Sequence, residues 1–338
     1  MLIGLCGSIC AGKHEIAHHL IRNHAFTALK IVPPTLPNPS PAVRSTSTLP
    51  TLPEHVFPTA NALLDFVTKR WREPFVTTDI WDDHILDILR VRPFFMLVSV
   101  SAPLMTRWHR YNARNATQGL PPIPLDEFAA ASDTYLYSPH GLSSITAHAT
   151  LSLLNPGSSL STLHTALHAL DLTNPERLRP SWDAYFMRLA SLAARRSNCM
   201  KRRVGCVLVR GHRVISTGYN GTPRHLKNCS EGGCGRCNSA AEGGVGLDAC
   251  LCIHAEENAL LEAGRERIGH GAVLYCDTCP CLTCSIKIVQ VGVVEVVYSK
   301  GYSMDKQTAA VLEEGGVVLR QYSPPRDGMV YLDEALYN

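Results

Sequence analysis

His254-Ala255-Glu256 and the later run Pro280-Cys281-Leu282-Thr283-Cys284 restrict this chain more than any other feature. One imidazole and two cysteine sulfurs can fill three positions around a tetrahedral zinc and leave the fourth to water. An open three-ligand site is a catalytic design, because structural zinc usually takes four protein ligands. Glu256, two residues from the expected ligand His254, is placed to move protons rather than bind metal. The intervening sequence predicts a helix from His254 to about Ala263, ended by Gly264, then a strand over Val273–Cys276. Pro280 suits the first turn of a second helix, where its missing N–H costs nothing. Cys281 and Cys284 then share one face. Both ligand groups thus sit at helix starts, whose partial positive charge favours the thiolates that metal binding needs.

Around this core the periodicity predicts an amphipathic helix over residues 181–196, in which Trp182, Tyr185, Phe186, Leu189 and Ala193 recur at helical spacing. Val204–Arg210 and Arg213–Gly218 read as a hairpin closed at Gly211-His212. Strands over Val293–Tyr298 and Val317–Arg320 flank a helix near Thr308–Glu314. The expected architecture is α/β, a five-stranded mixed sheet with helices on its faces.

The H-x-E…P-C-x-x-C arrangement is similar to the signature of zinc-dependent nucleobase deaminases. The chemistry this implies is attack of activated water on C4 of a cytosine ring. Zinc lowers the water pKa, and Glu256 takes the proton, delivers it to N3 and helps ammonia leave. A structural zinc or a redox Cys-x-x-Cys pair is the competing reading, and neither explains His-x-Glu. More of the chain, residues 181 to about 322, resembles the deoxycytidylate deaminase family, and the whole chain resembles its fungal form. The residues that carry this are Arg196-Ser197-Asn198-Cys199-Met200, Val204-Gly205-Cys206, Gly218-Tyr219-Asn220-Gly221-Thr222-Pro223, His254-Ala255-Glu256-Glu257-Asn258-Ala259 and Cys279-Pro280-Cys281-Leu282-Thr283-Cys284. The resemblance implies a cytidine deaminase-like three-layer α/β/α domain over 180–330. It implies hydrolysis of dCMP to dUMP and ammonia, supplying dUMP for thymidylate synthesis. It implies activation by dCTP with Mg²⁺, inhibition by dTTP, and a homo-oligomer, commonly a hexamer. The rival functions are a deaminase of another cytosine or adenine substrate and a catalytically inactive nucleotide-binding regulator.

Asn220 is expected to hydrogen-bond the sugar hydroxyl, with a left-handed turn residue in Asn-Gly as the alternative. Asn258 shares a helix face with His254 and is expected to line the nucleotide site. Arg265 resembles an arginine the family uses for nucleotide phosphate, against a solvated Arg-Glu-Arg face. Lys201-Arg202-Arg203 reads as a charged strand entry or a phosphate contact. A second, structural zinc is expected from Cys199 and Cys229, as the resemblance implies, with two further ligands just ahead of His254. Asp248 and Gly244 stand where histidines can occur, so Cys234, Cys237 or Cys250 becomes the substitute; Cys234-Gly235-Arg236-Cys237 has the spacing of a zinc knuckle.

The amino-terminal part, residues 1–175, starts with a strand at Leu2–Leu5 and a turn, Gly7-Ser8-Ile9-Cys10-Ala11-Gly12-Lys13-His14, that opens a helix. It matches the phosphate-binding G-x-x-x-x-G-K-[ST] loop through Gly7, Gly12 and Lys13, but His14 replaces the hydroxyl that binds Mg²⁺. Strand-like runs at 75–78 and 94–100, with Arg107 and Arg110 behind them, resemble nucleotide and dephospho-coenzyme A kinases. The expectation is a degenerate P-loop kinase-like α/β domain with a parallel sheet. Residues 33–58 are rich in Pro, Ser and Thr and read as a surface insertion, and residues 173–180 as the domain boundary.

At 338 residues, with 45% hydrophobic content, the chain suits about two domains. A net charge of only +3 argues against a nucleic-acid partner. No apolar run approaches a membrane span, and the start lacks a basic signal-peptide region. The expected location is cytoplasmic, with the nucleus as a second compartment. Of thirteen cysteines, eleven fall between Cys199 and Cys284. In a long chain of this kind metal ligation and buried thiols account for them better than disulfides.

Overall fold

The computed structural model describes residues 1–32, 54–139, 141–157, 159–240, 242, 245–301, 306–325 and 328–333. Contacts divide the chain into two units: Met1–Leu178 together with the stretch from Pro325, and Arg179–Pro324.

The first unit runs β1 (Leu2–Gly7), α1 (Lys13–His24), β2 (Thr27–Ile31), β3 (Glu54–Phe57), α2 (Ala60–Thr68), β4 (Phe75–Thr77), α3 (Asp83–Leu89), β5 (Phe95–Ser101), α4 (Leu104–Thr117), α5 (Leu125–Tyr137), α6 (Ser143–Ala147), β6 (Leu151–Leu154) and α7 (Leu160–Leu170). β1 is apolar along its whole length and wholly buried, as a parallel strand covered on both faces must be. Its side chains alternate between two cores. Ile3 and Leu5 pack with Ile16 and Leu20 of α1 and Leu163 and Leu167 of α7. Leu2 and Cys6 pack with Leu63 and Val67 of α2 and Ile85, Leu86 and Leu89 of α3.

The second unit runs α8 (Trp182–Ala194), β7 (Gly205–Arg210), β8 (Arg213–Tyr219), α9 (Gly235–Asn238), α10 (Ala255–Ile268), β9 (Ala272–Thr278), α11 (Leu282–Val291), β10 (Val293–Lys300), α12 (Lys306–Glu314) and β11 (Val318–Gln321). The sheet order is β11-β10-β9-β7-β8. β9, β10 and β11 are mutually parallel, and β7 is antiparallel to both β8 and β9. The expected mixed sheet is therefore present. Ser181 caps α8 by accepting from the Ala184 amide, and the tight β7–β8 turn places Gly211 and His212 at positive φ. Period-two alternation sorts the sheet's two faces. Val207, Val209, Tyr275 and Val297 pack on Phe186 and Met187 of α8. Cys206, Leu208, Leu274, Cys276 and Val296 pack on the other side, with α10, α11 and Leu312 of α12. This makes the three layers.

Beyond Pro324 the chain rejoins the first unit as β12 (Gly328–Tyr331), parallel to β6. The first sheet is thereby wholly parallel, in the order β12-β6-β5-β1-β4-β2-β3. Residues 328–330, expected in the second domain, belong to the first. The expected insertion at 33–58 also needs correcting: residues 33–53 lie outside the described residues, but Glu54–Phe57 is a strand paired with β2. Gly264 ends the first helical stretch of α10 as expected: it leaves the helical conformation with φ 67°, and a short second stretch follows to Ile268. Pro280 is not in the first turn of α11; it precedes the N-cap, Cys281. No helix among the described residues is long and apolar enough to cross a membrane.

Candidate active site

His254 is the N-cap of α10 and Cys281 the N-cap of α11, both in extended conformation, and neither side chain caps its own helix. That leaves both side chains free to point at a common centre beyond the two helix starts. Cys284, one turn into α11, completes the set. His254 Nδ1 lies 3.3 Å from Cys281 Sγ and 3.4 Å from Cys284 Sγ. Zinc bonds of standard length at the tetrahedral angle call for a nitrogen–sulfur edge of about 3.6 Å, so the three donor atoms fit a zinc ion to within a few tenths of an ångström.

Two close approaches hold this geometry. Gly218 on β8 lies against the first turn of α10, and a Cβ there would stand 2.0 Å from the Ala255 carbonyl. Lys287 of α11 reaches Glu257 of α10 at 2.7 Å and ties the two helices together.

Glu256 is 4% exposed. A carboxylate oxygen lies near the sulfurs of Cys206 and Cys276, a cross-strand pair on β7 and β9. Burial in this apolar floor pushes the Glu256 carboxyl up to about 7. Burial likewise raises the two thiols, which remain protonated and inert. Cys281 is pushed the other way, down to about 3, chiefly by the hydrogen bond from Cys284, with His254 and Thr283 contributing. His254 is raised, first through its bond to Cys281. His254 is exposed, Cys281 half-buried and Cys284 buried, so the centre opens to solvent on the histidine side.

The other residues singled out in the sequence fall as follows. Asn220 is buried and does not take the left-handed conformation. Its side-chain oxygen accepts from the Val204 amide at 2.8 Å and its nitrogen donates to the Arg202 carbonyl at 2.7 Å. The turn reading of Asn220 is therefore replaced by a bridge between two segments. Asn258 donates to the Tyr219 carbonyl at 2.8 Å and fastens α10 to the end of β8. Arg265 is exposed beyond the Gly264 break, on the second helical stretch of α10 rather than on the one that His254 opens. Arg202 contacts Thr278 Oγ1.

Cys199, Cys229, Cys234, Cys237 and Cys250 gather in one place, together with Cys252, which the sequence reading left out of the ligand set. Asp248 is exposed and outside this group, and Gly244 lies outside the described residues. The signal for Cys252 was its position two residues before His254.

In the first unit, the loop after β1 borders a cavity of about 290 Å³ lined by Cys10, Gly12, Lys13, His14, Arg110 and Arg114 among others. Gly12 caps α1 at φ 106°, where a Cβ would meet the Asn155 side-chain nitrogen at 2.6 Å. The Arg110 guanidinium donates to the carbonyls of Cys10, Ala11, Asn155 and Gly157.

The family model for the cytidine and deoxycytidylate deaminase zinc-binding region matches residues 180–300. Deoxycytidylate deaminase of Schizosaccharomyces pombe is 49% identical over 97% of this chain and 99% of its own length. Deoxycytidylate deaminase of Saccharomyces cerevisiae is 43% identical over 96% of this chain and 97% of its own. Deoxycytidylate deaminase of Mycobacterium phage D29 is 45% identical over 36% of this chain and 97% of its own.

Proposed function

The chain belongs to the deoxycytidylate deaminase family, and from that membership we propose that its second unit hydrolyses dCMP to dUMP and ammonia. The observation that carries this is the convergence of His254, Cys281 and Cys284 beside the buried Glu256. His254, Cys281 and Cys284 would hold a zinc ion, which would supply the Lewis acidity that makes water a nucleophile near neutral pH. Glu256 accepts the first proton that water gives up and delivers it to N3 of the cytosine, then takes the second from the new C4 hydroxyl and passes it to the departing amino group, which leaves as ammonia. Burial raises the Glu256 carboxyl above its ordinary value, the direction that suits a group which must both take and return a proton. The match of the phage D29 protein, nearly its whole length to 36% of this chain, supports assigning the chemistry to a single unit.

Asn220 and Asn258 border the floor of the nucleotide site in this reading, and Arg265 serves the phosphate only where another part of the assembly brings it near. The regulatory half of the proposal is a homo-oligomer, a hexamer, activated by dCTP with Mg²⁺ and inhibited by dTTP. It rests on the motif resemblance, and a cytoplasmic or nuclear location rests on the same ground.

For the first unit the proposal is a degenerate P-loop kinase-like domain. Its support is the β1–loop–α1 geometry, with the cavity at the carboxyl end of a central strand between β4 and β5, where open α/β sheets bind ligands. Lys13 and the amino end of α1 suit a phosphate. His14 brings no hydroxyl for Mg²⁺, so an assembly role fits better than phosphoryl transfer.

The test is ammonia release from dCMP with and without dCTP and Mg²⁺, against cytidine, deoxycytidine and CMP. Turnover confined to dCMP and raised by dCTP is expected. No turnover on any of them with zinc bound refutes the deaminase reading and favours a nucleotide-binding regulator.

A further inference from the structure

Among its described residues, the long connection between β8 and α10 has little regular structure: short 3-10 turns at Cys229–Glu231 and Leu247–Ala249 and the single turn α9. A connection of that length normally needs a core to order it. The buried cluster found there is made of sulfur: Cys199, Cys229, Cys234, Cys237 and Cys252, with the half-buried Cys250 against them. The six sulfurs form two tetrads. Cys199, Cys229, Cys237 and Cys252 make one, and Cys234, Cys237, Cys250 and Cys252 the other, each with all its sulfurs within 4.8 Å of one another.

We propose that these six cysteines hold two zinc ions in a binuclear thiolate cluster in which Cys237 and Cys252, common to both tetrads, are the bridging ligands. The spacing is that of metal ligands. Zn–S bonds of standard length give a tetrahedral sulfur–sulfur edge of about 3.8 Å. The separations are 3.8 Å for Cys199–Cys237 and Cys237–Cys250, and 3.9 Å for Cys234–Cys250 and the shared Cys237–Cys252 edge. A disulfide requires about 2.0 Å, and all these cysteines are unpaired.

Hydrogen bonds aimed at the sulfurs make the same point independently. The Met200 amide donates to Cys229 Sγ and the Leu251 amide to Cys234 Sγ, both at 3.4 Å, and the Asn238 side chain donates to Cys229 Sγ at 3.8 Å. Donors of this kind orient and stabilise metal-bound thiolates. Charge decides between one ion and two. One Zn²⁺ in either tetrad leaves two further cysteine sulfurs packed against a negative site. A second ion takes both as ligands and leaves the six-thiolate set with the same net charge as an isolated four-cysteine zinc. The single structural zinc expected from the sequence therefore becomes a pair.

The cluster also has a consequence for the neighbouring centre. Cys252 is two residues before His254, and Ile253 between them bridges to Gly221. A bridging ligand at Cys252 thus fixes the entry of α10. The inference stands on the sulfur geometry and does not depend on the deaminase reading.

The experiment is metal analysis of the full chain, grown with zinc and freed of loose metal by gel filtration. Three zinc ions per chain are expected, and two in His254→Ala/Cys281→Ser, which lacks the separate three-ligand centre. One ion or none in that variant overturns the proposal, as does iron in place of zinc, the other metal that tetrahedral sulfur sites take. If the variant fails to fold, the wild-type count decides alone: three supports the cluster, two or fewer refutes it. Bridging has its own readout in the same protein loaded with cobalt(II). Exchange through shared sulfur lowers the magnetic moment per cobalt, and two magnetically independent ions exclude bridging.

Discussion

Gly218→Ala isolates the contact that seats the ligand helix. An added Cβ would lie 2.0 Å from the Ala255 carbonyl oxygen and 2.5 Å from the Ala259 nitrogen, both backbone atoms that cannot rotate away. Real contacts stop near 3.0 Å, so α10 must retreat from β8 by about 1 Å. His254 and Glu256 ride on the first turn and move with it. The His254–sulfur distances of 3.3 and 3.4 Å then open past the span of one zinc. A misplacement of about 1 Å costs on the order of 100-fold in rate, or roughly 3 kcal/mol in the barrier. Overpacking adds about 1–3 kcal/mol of lost stability. The assay is steady-state ammonia release from dCMP, with zinc content and thermal melting measured on the same samples. Gly301→Ala, where a Cβ meets nothing within 4 Å, is the control. Wild-type kcat/KM and zinc content in Gly218→Ala would refute the argument that this close approach positions the site.

Three further outcomes follow from the geometry. Glu256→Gln keeps the zinc ligands and loses about 100- to 10,000-fold in kcat, the range of general acid–base catalysis; an active variant with zinc bound removes Glu256 from the proton path. Asn220→Ala leaves the Val204 amide and Arg202 carbonyl without their partner and costs about 2–4 kcal/mol in denaturant unfolding, whereas a loss under 0.5 kcal/mol would show that the bridge is not structural. Asp183 accepts from Arg320 and Tyr275. The Arg320 guanidinium first, then Tyr275, hold its carboxyl below the usual 3.8. A depressed folded value means its stabilisation is complete above the unfolded value and disappears as pH falls through the folded one. Asp183→Asn therefore lowers stability by about 1 kcal/mol at neutral pH, since Arg320 is 40% exposed, and matches wild type in strong acid. A difference between the two that grows on acidification contradicts this assignment.

The meeting of His254, Cys281 and Cys284 and the mixed sheet around it were legible in the sequence because their signals are local. The two helix starts, the carboxylate two residues from His254, and the apolar runs at strand period are short-range patterns that backbone geometry translates directly into position. Asn220 shows where such reading stops. Asn-Gly suggests a turn, but the choice between a left-handed residue and a bridge depends on which carbonyl and amide lie within reach, here Arg202 and Val204.

Tertiary structure alone settled three further matters. Glu54–Phe57 is a strand on the open edge of β2; Val56 and Phe57 favour one, but a four-residue run after a Pro- and Thr-rich stretch does not announce its partner. Gly328–Tyr331 returns to the first sheet because β6 lay open on one side. The cysteines of the connecting loop carry no order in their spacing beyond Cys234 and Cys237. Their sorting into two tetrads with a shared edge, and the entry of Cys252 among them, come from loop closure, which brings distant sulfurs together in a way no local pattern records. Sequence thus determined which residues can do chemistry on a metal, since that is a property of side chains and near neighbours. The fold decided which of them meet, since that depends on free energies summed over contacts far apart in the chain.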